Sequence, residues 1–272
     1  MTLFDILGVP VGSFPVIDSH AHMDHQAQFY CPGDPGIDGM IAAMDRVGID
    51  RVFIAPNMAI NSDILEGNER VRRAAEKYPG RVVALCTVNL NRMDDTRRTL
   101  DRCFSSPYFK GVKLHPDFMR YSVQDEDKMN EILDCARANR ACVISHTDAR
   151  LYPGHLTLYS HPAFFEPYIR RYPDVNFALA HCGLVPDGYD DSLRLARENG
   201  NVFLDTTGFR FSNRWTVEDI ARRVGADKLV FGTDMPFNDL SSALSRVLMA
   251  DLPLPDRAAI LGKNAMRMIG EA

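Results

Sequence analysis

The stretch VIDSHAHMDH, residues 16–25, begins as an apolar run suited to a strand and ends in two histidines one residue apart. Side chains alternate faces in an extended strand, so His20 and His22 project from one side while Ala21 points to the other. Two imidazoles aimed at one point suit a metal ion, or they form an incidental pair at a polar strand end. The rest of the chain decides between these readings.

Seven further short runs resemble the first: RVFIAP (51–56), RVVALCTV (81–88), GVKLHP (111–116), ACVISH (141–146), VNFALAH (175–181), NVFLDT (201–206) and KLVFGTD (228–234). With FPVIDSH (14–20) they make eight candidate strands, several apolar on nearly every residue, as strands buried on both faces are. Helical patterns lie between them, among them SDILEGNERVRRAAEKYP, DEDKMNEILDCARANR and TVEDIARRVGADK. Thr216 with Asp219 reads as a capping box, and RENGN and RVGAD place glycine just past a helix end. Eight βα units in 272 residues match an α/β fold of the (β/α)8 TIM-barrel type, typically about 250 residues. We expect one domain over 1–272 with its core at about 14–270. No GxGxxG or GxxxxGK[ST] follows an early strand, so a nucleotide-binding open sheet has no support. The tail PDRAAILGKNAMRMIG is expected to be helical and to pack on the barrel bottom.

Composition narrows the function. The chain is 46% hydrophobic and 25% charged with a formal net charge of -5, which gives no basic footprint for nucleic acid. No apolar run approaches the roughly 20 residues that span a bilayer, and the start lacks the pattern of a signal peptide, so a cytoplasmic protein without membrane contact is expected. Six cysteines without a CxxC pair suggest reduced thiols. Cys182, directly after a histidine, reads as a small buried thiol in preference to a nucleophile.

In a barrel, reactive groups come from the carboxyl ends of the strands. His20 and His22 end strand 1, Lys113 and His115 strand 4, His146 strand 5, His181 strand 6, Asp205 strand 7 and Asp234 strand 8. Five of the eight histidines stand at such ends; one alone would more often be structural, but the whole set is hard to place by chance. Imidazole suits zinc and its neighbours. His20, His22 and a strand-5 histidine would supply nitrogen donors, with Asp234 facing them across the barrel mouth.

The HxH after strand 1, the single histidines after strands 5 and 6 and the aspartate of FGTDMPF resemble the amidohydrolase superfamily. GVKLHP, RYPDVNFALAHCG, GTDMPF and ILGKNAMRMIG further resemble its amidohydrolase-related branch, which includes decarboxylases of the aminocarboxymuconate semialdehyde type. The resemblance runs from about Val16 to Gly270. It implies that His20, His22, His146 and Asp234 ligate a divalent metal, zinc foremost with manganese as the alternative. His181 would ligate a second ion or hydrogen-bond the metal's water, and Asp234 would take a proton from that water. In binuclear relatives a strand-4 lysine is carboxylated and bridges two ions; in the decarboxylase-like branch one ion generally suffices. One ion with Lys113 unmodified is therefore expected, Lys113 and His115 being substrate contacts.

Asn57, Arg150 and Arg210 are further candidate substrate contacts after strands 2, 5 and 7. Asp24, His25 and Asp148 are as well explained by loop chemistry, and His155 and His161 by surface or helix-entry roles. The expected activity is hydrolysis of a lactone, ester or amide through a metal-activated water. Non-oxidative decarboxylation of a small unsaturated or aromatic acid is the alternative, and a non-catalytic metal- or ligand-binding barrel a third reading. The partner is a small-molecule substrate; oligomeric state stays open, with a homodimer the analogous case.

Overall fold

A computed structural model of the chain describes residues 4, 14–26, 31, 33–150, 158–208 and 213–271. Eight strands follow in order: β1 (Ile17–Met23), β2 (Arg51–Pro56), β3 (Val82–Thr87), β4 (Phe109–Leu114), β5 (Cys142–His146), β6 (Phe177–Ala180), β7 (Val202–Asp205) and β8 (Leu229–Val230). Each pairs in parallel with the next. Closure comes from the chain just after β8: Ser19 N–H donates to Phe231 O (2.8 Å), Asp234 N–H to His20 O (2.8 Å), and Ala21 bridges Met235 in parallel. The molecule is a single-domain (β/α)8 barrel. Among the described residues no helix is long and apolar enough to cross a membrane.

Alternation along the strands divides the core. Ile17, Phe53, Val83, Leu85, Ile144 and Phe203 fill the barrel, whereas Val52, Ile54, Val82, Val112, Val143 and Leu204 pack outward against the helices. Helix Ile64–Lys77 shows how that outer layer forms. Asp63 accepts from Leu65 N–H and Glu66 N–H (both 3.0 Å), satisfying first-turn donors, while Ile64, Val71, Ala74 and Ala75 are buried. At the floor of the barrel, Ala265, Met268 and Ile269 of the C-terminal segment join the inner cluster, as the tail's apolar spacing predicts.

Several boundaries differ from the sequence reading. β1 starts at Ile17, not Phe14, and runs on through both histidines to Met23. β4 stops at Leu114; His115 leads into a short helix, Pro116–Met119, because proline at a helix start cannot extend a ladder. β8 pairs over two residues only, so Asp234 stands beyond the ladder. The capping box at Thr216 and Asp219 is not formed: helix Arg214–Val224 starts earlier, and Asn213 caps it by accepting from Thr216 N–H at 3.1 Å.

Candidate metal centre and active site

The register of β1 sets the site. Asp18 pairs with Val52 and Ala21 with Ile54, so two residues of β1 oppose Phe53 alone. This extra residue resets the alternation: Ile17 faces the barrel interior, and so do His20 and His22, three and five positions on. A β-bulge re-aims side chains in this way. Asp18, fully buried, holds the distortion by accepting from His20 N–H (3.1 Å), Thr233 N–H (3.0 Å) and the Thr233 hydroxyl (2.5 Å). Burial pushes the Asp18 carboxyl up to about 7 against the lowering effect of these bonds.

The protonation of the two rings follows from their neighbours. His22 Nδ1 lies 3.0 Å from Ala55 O, and a carbonyl can only accept, so Nδ1 carries the proton and Nε2 is bare. His20 Nδ1 is 2.6 Å from Asp205 Oδ2, while Lys113 Nζ donates to His20 Nε2 at 2.7 Å. Nε2 of His20 is therefore bare as well. The two bare nitrogens face each other at 3.2 Å, and Asp234 Oδ1 stands 3.4 Å from that of His22 and 3.7 Å from that of His20. Donor atoms of His20, His22 and Asp234 all lie within 4.8 Å of one another. Two unprotonated imidazole nitrogens and a carboxylate converging in a buried space are the donor types that take a divalent metal, which would replace the Lys113 ammonium at His20 Nε2.

His146 and His181 flank this cluster. The His146 ring stacks on His115 (centroids 4.3 Å apart), lies 4.7 Å from the His181 ring, and has Nε2 3.8 Å from Asp117 Oδ2. It therefore stands beside the three converged donors and not among them. His181 opens a run of four left-handed residues, with φ of 64° at His181, 47° at Cys182, 74° at Gly183 and 59° at Leu184. Backbone of this kind in non-glycine residues is costly and clusters at functional sites. Asp234 is also left-handed, at φ 61°.

Burial holds the His22, His115 and His146 imidazoles well below their ordinary range, and His181 below it, so the rings stay neutral, the form in which imidazole binds a metal. Lys113, fully buried, is pushed down to about 8 by burial, opposed by the Asp234 and Asp205 charges. Burial would raise the Asp205 carboxyl, but His20 and the hydrogen bonds it receives hold it well below the usual range.

The remaining candidates are dispersed. Asn57 is buried and donates to Asp24 O at 2.7 Å, tying the loops after β2 and β1 together. Arg150 folds back on Asp148, its Nη2 donating to Oδ2 at 2.8 Å. His25 is exposed, and His161 accepts from Ala163 N–H at 3.2 Å. Arg210 and His155 lie outside the described residues. The sequence places Asp205 at a strand end without giving it a role, and Thr207, Asp18, Thr233 and Asp117 carry no signal of their own. A cavity of about 440 Å³ opens beside His181, walled by Leu184, Val185, Pro186, Tyr189 and Trp215.

The Amidohydrolase family model matches residues 17–270. The chain belongs to that family and is an enzyme of it. No curated protein matches its sequence. Among solved structures, it is similar to 5-carboxyvanillate decarboxylase from Novosphingobium aromaticivorans, complexed with manganese and a nitrobenzoic acid (TM-score 0.72, 13% identity, covering 95% of this chain and 96% of that one). It is also similar to 2,6-dihydroxybenzoate decarboxylase from Rhizobium (0.68, 18%, 94% and 99%), and to a probable 2-pyrone-4,6-dicarboxylic acid hydrolase from Acinetobacter baumannii (0.62, 16%, 94% and 99%). At these identities the likeness establishes the barrel.

Proposed function

We propose that this enzyme hydrolyses a small organic substrate with a polarised carbonyl, a lactone, ester or amide. The centre would hold one divalent ion, zinc foremost and manganese second, through His20, His22, Asp234 and, from the edge of the cluster, His146. The observation that carries the reading is the convergence of two bare imidazole nitrogens with the Asp234 carboxylate. When bound, the ion supplies Lewis acidity and lowers the pKa of water toward about 7.

The chain's own groups do the rest. Asp234 takes the proton of the attacking water and returns it to the leaving group, as a positioned carboxylate can. His181, beside the His20 ring at 5.1 Å between centroids, orients water or the substrate oxygen. Lys113 stays unmodified: once an ion takes His20 Nε2, its buried ammonium keeps the Asp234 and Asp205 charges as partners. The cavity beside His181, with apolar walls from Leu184, Val185 and Trp215, would receive the apolar part of the substrate.

Decarboxylation is the second reading, favoured by the names of two of the similar structures. It calls for a cation near the departing carboxylate; Arg150 is engaged at Asp148 and Arg210 lies outside the described residues, whereas Lys113, released from His20 Nε2 by a bound ion, would be the group to supply it. The test is a panel of lactones, esters, amides and unsaturated carboxylic acids with product acid and CO2 both monitored. Product acid with incorporated water supports hydrolysis; stoichiometric CO2 without net water incorporation overturns it in favour of decarboxylation.

A further inference from the structure

We infer that Asp205 and Thr207, through one shared carboxylate, fix the tautomers of both His20 and His181, so that each ring presents an unprotonated Nε2 to the centre. The inference deepens the metal-centre reading and rests on it for its purpose, although not for its geometry. Asp205 Oδ1 receives the backbone N–H of His181 (2.9 Å), the backbone N–H of Thr207 (3.1 Å) and the Thr207 hydroxyl (2.6 Å). Oδ2 takes Nδ1–H of His20 at 2.6 Å. With two backbone donors on Oδ1 and Lys113 fixing the proton of His20 on Nδ1, neither oxygen has a proton to give; the carboxylate only accepts.

Thr207 then decides His181. A hydroxyl has a single proton, and that of Thr207 is spent on Asp205 at 2.6 Å, the stronger, charge-assisted partner. Toward His181 Nδ1, 3.0 Å away, and His20 Nδ1, 3.3 Å away, the Thr207 oxygen can therefore only accept. His181 Nδ1 must carry the proton, which leaves Nε2 bare in the neutral ring. The same carboxylate also grips the backbone N–H of His181, within its left-handed turn, so ring and main chain are held together. Asp205 and Thr207 are positioning residues. In consequence His181 can accept a proton of water but cannot donate to a substrate carbonyl, which narrows its proposed role to orienting the water.

The test is nitrogen-15 NMR of the metal-free protein labelled at histidine, with peaks assigned by His20→Gln and His181→Gln, alongside zinc affinity by chelator competition. In the native chain both rings are expected to show the Nδ1–H signature. Thr207→Val should shift His181 away from it, and Thr207→Ser, which keeps the hydroxyl, should restore it. Asp205→Asn should weaken zinc binding by about 10- to 100-fold, as loss of an outer-shell partner does; if that variant does not fold, the threonine pair decides alone. An Nε2–H signature for His181 in the native chain, or no change on Thr207→Val, overturns the inference. A protein that binds no zinc would defeat the metal reading while the tautomer signatures still judged this one.

Discussion

Lys113 is the residue on which the number of metal ions turns. Its ammonium sits fully buried against His20 Nε2, which a bound ion would take from it, and the Asp234 and Asp205 charges then favour the free ammonium over a bridging modification. We predict a metal-to-protein ratio near one, and no second ion to lose in Lys113→Met; a ratio near two in the native protein that falls on this substitution would show a binuclear centre. Cys182 illustrates the opposite case, a reactive residue type in an inert place. It is fully buried, its Sγ 3.7 Å from Asp205 O, and burial pushes its thiol far up, as it pushes that of Cys142 up to about 12. Thiolate is the nucleophile, and these thiols keep their protons as pH rises through neutrality. Iodoacetamide at about pH 8 should therefore leave both unlabelled in the folded protein; mass-spectrometric detection of alkylated Cys182 before unfolding would contradict this. The sequence made the histidines legible because eight strand ends offer few places for polar residues to gather. Thr207 stayed silent because a threonine just past a strand end reads as an ordinary loop residue, and its meaning lies in contacts to Asp205 and His181.

At the scale of elements, the alternation that suggested a two-histidine clamp was right about His20 and His22 relative to each other and silent about how they come to face inward. Parity counted from Ile17 would turn both outward; the bulge at Asp18–Ala21 reverses this, and no local pattern in the sequence marks it. Its counterpart is Gly232, where a Cβ would stand 2.7 Å from Thr207 Cγ2 and 3.0 Å from His20 Cβ. Gly232→Ala should therefore cost about 1–3 kcal/mol of stability, the usual range for overpacking, and weaken zinc binding by displacing His20. Denaturant unfolding with a parallel zinc titration checks both, and an unaltered zinc affinity would show that His20 is not wedged as described. Boundaries were less legible than existence: β4 ends two residues early, at Leu114 ahead of the proline-led helix, and the β8 ladder is short because the chain after Val230 turns to bond with β1 and the C-terminal segment.

The whole molecule depends on a seam that lies far apart in sequence. The described chain begins its barrel at β1 and closes it through residues 231–235, and the C-terminal segment locks that closure from below, with Phe231 N–H donating to Ile260 O at 2.9 Å. Asn264, buried, donates to Leu229 O (2.6 Å) and Ala226 O (2.8 Å) on the approach to β8. Asn264→Ala would orphan these carbonyls, and a loss of about 1–3 kcal/mol is expected from thermal or denaturant unfolding; a neutral effect would show that the tail does not support the seam. Eight alternating βα units made this architecture readable, since count and order are sequence properties. Seam and site geometry were not, because they depend on contacts more than 200 residues apart, such as Ser19 with Phe231.

The claim on which the rest stands is that His20, His22 and Asp234 form a working metal centre. Elemental analysis of gently purified native protein, beside the His20→Ala, His22→Ala double variant, tests it most directly. The expected result is close to one divalent ion per chain in the native protein and none in the double variant, with Asp234→Asn losing product formation as the base is removed. Negligible metal in the native protein, unchanged by the double substitution, would contradict it.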